Sequence, residues 1–181
     1  VEAEESGLEK VELKTVDITS FVSELKLDQV KTEDLGNAPG NIDAIKQAIN
    51  LGRVAIAAET LGASQCMLNR SVDYAKERKQ FGRPIGSFQA VKHMCAEMTA
   101  ELEPCYSLVW HAAHSFDDSS EDSRLMSCLA KSHVAEVSKM VAKKATEVHG
   151  GMGFTDLLGL DFWFKRIGFG SCSFRYSRWN R

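Results

Sequence analysis

Long apolar runs, paired cysteines and an excess of charge of one sign are what this chain of 181 residues has least of. No stretch approaches the roughly 18 consecutive apolar residues of a membrane-spanning helix, and no signal peptide is visible. The five cysteines (Cys66, Cys95, Cys105, Cys128, Cys172) are odd in number and never stand as C-x-x-C. That argues against a disulfide framework and against a zinc site. It fits a reducing compartment, the cytoplasm or, in a eukaryote, the mitochondrial matrix. A net charge of −3 offers no global field for nucleic acid, so any anion must be held by local basic groups. There is no internal repeat.

What remains is an ordinary globular composition, 44% hydrophobic and 26% charged, enough for one substantial domain with a small appendage. The chain opens on polar "VEAEESGLEK" and not on Met, which fits a piece of a longer polypeptide. In "VELKTVDI" and "ELKLDQV" apolar residues alternate (Val11, Leu13; Leu25, Leu27), the period of half-buried strands. Two such strands are marginal alone and should edge a larger sheet or lean on a helical body. Polar "KTEDLGNAPGN" reads as a linker.

From Ile42 the period becomes helical. The first helix is expected from about Asn41 to Lys79, with Ile45, Ile49, Ile56, Leu61, Leu68, Val72 and Ala75 on one face. Gly52 and Gly62 within it allow close approach of a neighbour or ligand. A second helix starts at Ser87 as N-cap, carries Val91, Cys95, Met98, Leu102 and Cys105 inward, and should kink or break at Pro104. Asp118 and Glu121 form a capping-box start for a third, whose inward residues are Met126, Leu129, Val134, Val137, Met140, Val141 and Val148. It stops at Gly150-Gly151, and a short aromatic, basic helix follows at about Gly159–Gly170. The predicted fold is mainly α: an up-down four-helix-type bundle preceded by a short β-strand remnant.

Three stretches could carry chemistry. In "ERKQFGRPIGSFQ", Arg78, Lys79 and Arg83 surround a Gly-Pro turn beside a helix N-terminus, where backbone N–H groups and guanidinium favour an anion. The same turn could be a solvated basic corner pinned by Phe81 and Phe88. In "EVHGGMGF", Gly150, Gly151 and Gly153 let a ligand approach the main chain, or simply cap a helix. His149 reads as a structural hydrogen-bonding group sooner than a base. In "NLGRVAIAAETLG", Arg53 and Glu59 interrupt an apolar stretch, which demands pairing, a polar cavity or an exposed face.

The blocks "GRVAIAAETLG", "DYAKERKQFGRPIGSFQAVKHMCAEM" and "EVHGGMGF", in that order and spacing, resemble the C-terminal helical domain of the acyl-CoA dehydrogenase family over about residues 41–166. By that resemblance, residues 1–36 would be the end of the middle β-domain and 37–181 the C-terminal helical bundle. The implied activity is α,β-desaturation of an acyl-CoA thioester with FAD as cofactor and an electron-transfer flavoprotein or similar acceptor. The resemblance places Arg78 at the flavin's pyrophosphate, donated across a subunit interface. Gln80 and Phe81 would line the cofactor, Phe88 and Gln89 would touch its adenosine side, and Glu147, His149, Gly150 and Gly151 would lie against the same dinucleotide. Glu147 stands where many members carry Gln. Arg53 matches an arginine near the thioester end of the substrate pocket. A homo- or hetero-oligomer, dimer or tetramer, follows.

The family reaction needs a general base, usually a glutamate, at the α-proton. Of its two usual positions, one falls on Phe174 and the other on Gly52, and neither residue can accept a proton. Glu59 lies on the face of Gly52 but about 10 Å along the axis. Asp156 and Asp161 are outside candidates. The alternative implied is a non-catalytic partner subunit of a hetero-oligomeric enzyme.

Overall fold

Strand β1 (Leu8–Leu13) pairs antiparallel with β2 (Val22–Leu27), Leu8 opposite Leu27 and Leu13 opposite Val22. The structure, a computed structural model, describes residues 6–31, 41–117 and 120–174. The alternating pattern therefore does make strands, but their apolar side chains are covered only in part: Leu8, Val11 and Val22 are half-buried, whereas Leu13, Leu25 and Leu27 are exposed and Phe21 in the connecting loop is 87% exposed. What ties the hairpin down is ionic. Its connecting loop buries Asp17, which accepts hydrogen bonds from the Thr19 amide at 3.0 Å and the Ser20 hydroxyl at 2.9 Å, and pairs at 3.2 Å with Arg166. Burial pushes the Asp17 carboxyl up, but the bonds from Thr19, Ser20 and Arg166 outweigh it and hold the group below the usual carboxylate range.

Four helices form the body: α1 (Asn41–Glu77), α2 (Gln89–His114), α3 (Ser120–His149) and α4 (Leu160–Cys172). Their directions follow from which residues meet. Gln65 of α1 accepts a hydrogen bond from Tyr106 of α2 at 3.0 Å, and Glu97 of α2 pairs with Lys144 of α3. Tyr74 and His149 stack at the far ends of α1 and α3, so those two helices run the same way. Arg70 reaches the Leu158 carbonyl ahead of α4, while Gly170 near its end lies against Thr60, so α4 runs back along α1. The result is the expected up-down arrangement. Its core holds Met67, Met98, Leu102, Val134, Val141, Leu160 and Ile167, all nearly fully buried.

Several local expectations are corrected. Helix α2 begins at Gln89 with Phe88 as its cap, and no side chain caps it. Ser87 instead closes a single 3₁₀ turn and donates to the Pro84 carbonyl at 2.7 Å. Pro104 does not end α2, which runs on to His114. The Ala100 carbonyl simply loses its helical donor. On α1 the inward face starts late: Leu61, Leu68 and Ala75 are buried, but Ile45 is 60% and Ile49 37% exposed. Leu129 on α3 is likewise exposed. The linker residues 32–40 and the Asp118 capping box lie outside the described residues. None of the described helices is long and apolar enough to cross a membrane.

Candidate functional site

The corner between α1 and α2 folds as a miniature hairpin. Strand β3 (Lys79–Gln80) pairs with β4 (Arg83–Pro84) across a two-residue turn in which Phe81 has φ 53° and Gly82 φ 76°. Two consecutive positive φ values make a type I′ turn, whose twist matches that of paired strands. Glycine adopts this freely, whereas a phenylalanine does so at a cost. Phe81 is nonetheless held there, 91% exposed, with its ring edge-on to Phe88 at 6.1 Å. Arg83 stacks its guanidinium over the Phe88 ring at 4.1 Å. The strained, outward-facing Phe81 has no cover among the described residues.

Across from this corner α3 ends. His149 is buried and stacks on Tyr74 with ring centres 4.5 Å apart. Burial pushes its pKa below the ordinary 6.5, the Ala145 carbonyl raises it in part, and Arg70 lowers it further, so the ring is neutral near pH 7. Nδ1 lies 2.7 Å from the Ala145 carbonyl oxygen. A carbonyl only accepts, so Nδ1 carries the proton and Nε2 is left as an acceptor. Gly150 then turns the chain with φ 59°, and none of the described residues stands within 4 Å of where a Cβ on Gly150 or Gly151 would be. The main chain is bare here.

Between the corner and this bend lies an open cleft of about 410 Å³, with Arg78, Gln80 and Ile85 on one side and Tyr74, His149, Gly150, Gly151 and Met152 on the other. Five of the sequence candidates thus share one cleft, although about 70 residues separate the two motifs. The exposed Arg78 guanidinium has no hydrogen-bonding or ionic partner among the described residues. Phe81, Phe88, Gln89 and Glu147 do not line the cleft. The donor set fits part of a flavin dinucleotide: a free guanidinium for a diphosphate, uncovered glycine backbone, the Gln80 amide, and a neutral imidazole acceptor suited to a hydroxyl.

Arg53 lies at the other end, 21 residues before Tyr74 on α1 and so about 30 Å away. It is half-buried and donates to Asn50 Oδ1 at 2.6 Å. A cavity of about 340 Å³ brings it together with Cys128, Lys131, Ser132, Glu136, Lys139 and Phe174. The two positions counted for a base meet here. A Cβ on Gly52 would stand 2.9 Å from Phe174 Cζ, so an aromatic ring fills that space. Gly62, by contrast, admits no close neighbour among the described residues.

The other acid candidates are engaged elsewhere. Glu59 accepts from Arg166 Nε at 2.7 Å, which explains that mid-helix charge. Asp161 pairs with Lys165 at 3.0 Å, and that hydrogen bond holds its carboxyl below the usual range. Asp156 is exposed and lines neither cavity. Sequence reasoning missed Lys131, Glu136 and Lys139. Their spacing along α3 was the available signal, because it puts them near one helical stripe.

A family model described as the C-terminal domain of acyl-CoA dehydrogenase matches residues 42–170. The chain is 34% identical over 124 residues to the caffeyl-CoA reductase-Etf complex subunit CarC of Acetobacterium woodii, covering 68% of this chain and 32% of that protein. It is 33% identical over 135 residues to the mitochondrial short/branched chain specific acyl-CoA dehydrogenase of Bos taurus, covering 75% and 31%. In fold it matches butyryl-CoA dehydrogenase of Megasphaera elsdenii with a TM-score of 0.87 over 96% of this chain and 46% of that one, at 24% identity. The chain spans about a third of the length of these curated relatives.

Proposed function

The chain belongs to the acyl-CoA dehydrogenase family, and from that membership we propose that it supplies the FAD-facing and substrate-facing helical wall of an enzyme that desaturates acyl-CoA thioesters. Residues 1–36 are the end of a middle β-domain on this reading, and 37–181 the C-terminal bundle. The observation that carries it is the convergence of Arg78 and Gln80 with His149, Gly150 and Gly151 on one cleft.

In that cleft Arg78 balances the charge of a diphosphate, and the bare backbone at Gly150 and Gly151 lets the dinucleotide lie close. His149 Nε2 accepts from a hydroxyl, and Gln80 orients a neighbouring polar group. Phe81, Phe88 and Gln89 sit outside the cleft on the outer side of the corner, and Glu147 is exposed on the last turn of α3. These four contact the parts of the cofactor that extend beyond this chain. FAD, when bound, would supply the hydride acceptor for the desaturation. Arg53 orients the thioester end of the substrate. The partner on this reading would be an electron-transfer flavoprotein or similar electron acceptor, in the cytoplasm or a mitochondrial matrix.

Exposed Ile42, Ile45 and Leu51 on α1 and Trp110 on α2 (70% exposed) supply apolar surface for a dimer or tetramer, homo- or hetero-oligomeric. The test uses the full-length protein. Arg78→Glu should lower the flavin-to-protein absorbance ratio at least about tenfold after gel filtration, a loss of about 1.4 kcal/mol or more in binding. A ratio equal to wild type removes the assigned role.

One observation favours a second reading, a non-catalytic partner subunit. Phe174 packed against Gly52 leaves no carboxylate at either usual base position. Turnover by the purified homo-oligomer would exclude it, whereas activity appearing only on addition of a second subunit would establish it.

A further inference from the structure

Resting on the reading of residues 1–36 as the end of a β-domain, we propose that Arg166 is the positioning residue on which that domain is seated, a single polar joint that fixes where it stands on the bundle. Among the described residues, the hydrogen bonds joining the hairpin to the helices all come from this one guanidinium. No described hairpin residue belongs to the apolar clusters of the bundle core. Val16, Ile18 and Phe21, which flank the contact, are exposed, so apolar burial does not hold the loop there. On the joint depends how far any group carried by the β-domain stands from the cleft and the cavity.

Both halves of the joint are built. The loop closes on itself: Thr15 Oγ1 donates to the Asp17 carbonyl at 2.7 Å, and Thr19 donates to Asp17 Oδ1 through its amide at 3.0 Å and its hydroxyl at 2.6 Å. Ser20 Oγ donates to Asp17 Oδ2 at 2.9 Å. These bonds leave Asp17 Oδ2, Thr19 Oγ1 and Ser20 Oγ as acceptors for Arg166 Nη1, the first two at 3.2 and 3.3 Å. Asp17 is 2% exposed, and a buried carboxylate stripped of its cation is costly. The other edge of the guanidinium, Nε and Nη2, donates to Glu59 on α1, Nε at 2.7 Å. A planar fork serves α1 and the loop at once, which a point charge such as an ammonium does not. The footing is firm, because Gly170, one turn further along α4, packs closely against Thr60 beside Glu59.

The experiment measures, in full-length holoprotein, the distance distribution between spin labels on unnatural side chains placed at the exposed Lys26 of β2 and Asp73 of α1. Wild type should give one narrow peak. Arg166→Gln should at least about double its width, because a domain without a large apolar interface moves once its joint is cut. Asp17→Asn, which changes no helix residue and so leaves the bundle folded, should do the same. Lys165→Met breaks the ion pair with Asp161 on the same helix without reaching the hairpin, and should leave the width unchanged. An unchanged width in either of the first two variants would show other contacts seating the domain; that overturns the proposal and leaves the domain reading standing. Equal broadening by Lys165→Met would assign the effect to a loosened α4 and overturn it too. Amides of β1 and β2 exchanging at unfolded-chain rates in wild type would remove the domain reading, and this proposal with it.

Discussion

The cleft at the α3 bend and the cavity at Phe174 lie at opposite ends of the same two helices, yet they are made of different materials. The cleft presents backbone, two glycines with open space above them, and one guanidinium unpaired among the described residues, from a strained corner. The cavity presents side chains from one face of α3, anchored by an arginine and a lysine that already hold polar partners. A backbone-lined surface suits a ligand recognised by shape and diphosphate. A side-chain-lined one changes character with a single substitution, whereas a backbone-lined one does not.

The contrast can be tested at the packing contacts that hold each end. Gly170 lets α4 approach α1 so closely that a Cβ there would stand 2.5 Å from Thr60 Oγ1. That hydroxyl is itself bonded to the Ile56 carbonyl at 2.7 Å and cannot swing away cheaply. Gly170→Val should therefore cost about 3 kcal/mol, the upper range for overpacking, in urea unfolding. It should also disturb the cavity end first, because Ser171 and Phe174 follow directly. An unfolding midpoint unchanged from wild type would mean that α4 is loosely held.

A smaller effect is expected in the cleft. Gly150→Ala meets no atom, so it should cost only the backbone strain of φ 59°, about 1 kcal/mol. Gly151→Ala, without positive φ, should cost less than that. Equal losses for both would mean that the bend depends on space and not on backbone conformation.

The smallest effect concerns pH. The folded-state pKa of His149 lies below its unfolded value of 6.5, so on acidification the unfolded chain takes up a proton before the native one does. The stability this group contributes is complete above pH 6.5 and is lost as pH falls toward the lowered value. Wild type should thus lose stability as pH falls below the unfolded-state value of 6.5, and His149→Phe, which keeps the stack on Tyr74, should lose less. Parallel losses would show that His149 is not the group responsible.

The bundle and the cleft were legible for one reason. Helical periodicity marks buried faces locally, and a positive-φ turn or a glycine bend is declared by neighbours in the chain. Arg78 and His149–Gly151 stand out as motifs in the sequence, and they line one cleft. What failed locally was capping at Ser87, where a 3₁₀ turn claimed the hydroxyl, and burial of Ile45 and Ile49, which depends on where the other helices end. The role of Glu59 depended on Arg166, a partner 107 residues away.

Residue order alone was enough to set the four helices, the β hairpin ahead of them and the basic corner, because each depends on contacts within a few residues. Only the packed chain could bring Phe174 onto Gly52, tie Asp17 to Arg166, and gather Arg53, Lys131 and Lys139 around one cavity. Those juxtapositions arise when α4 runs back along α1 and α3, and no periodicity along the chain encodes which residues of separate helices will face each other.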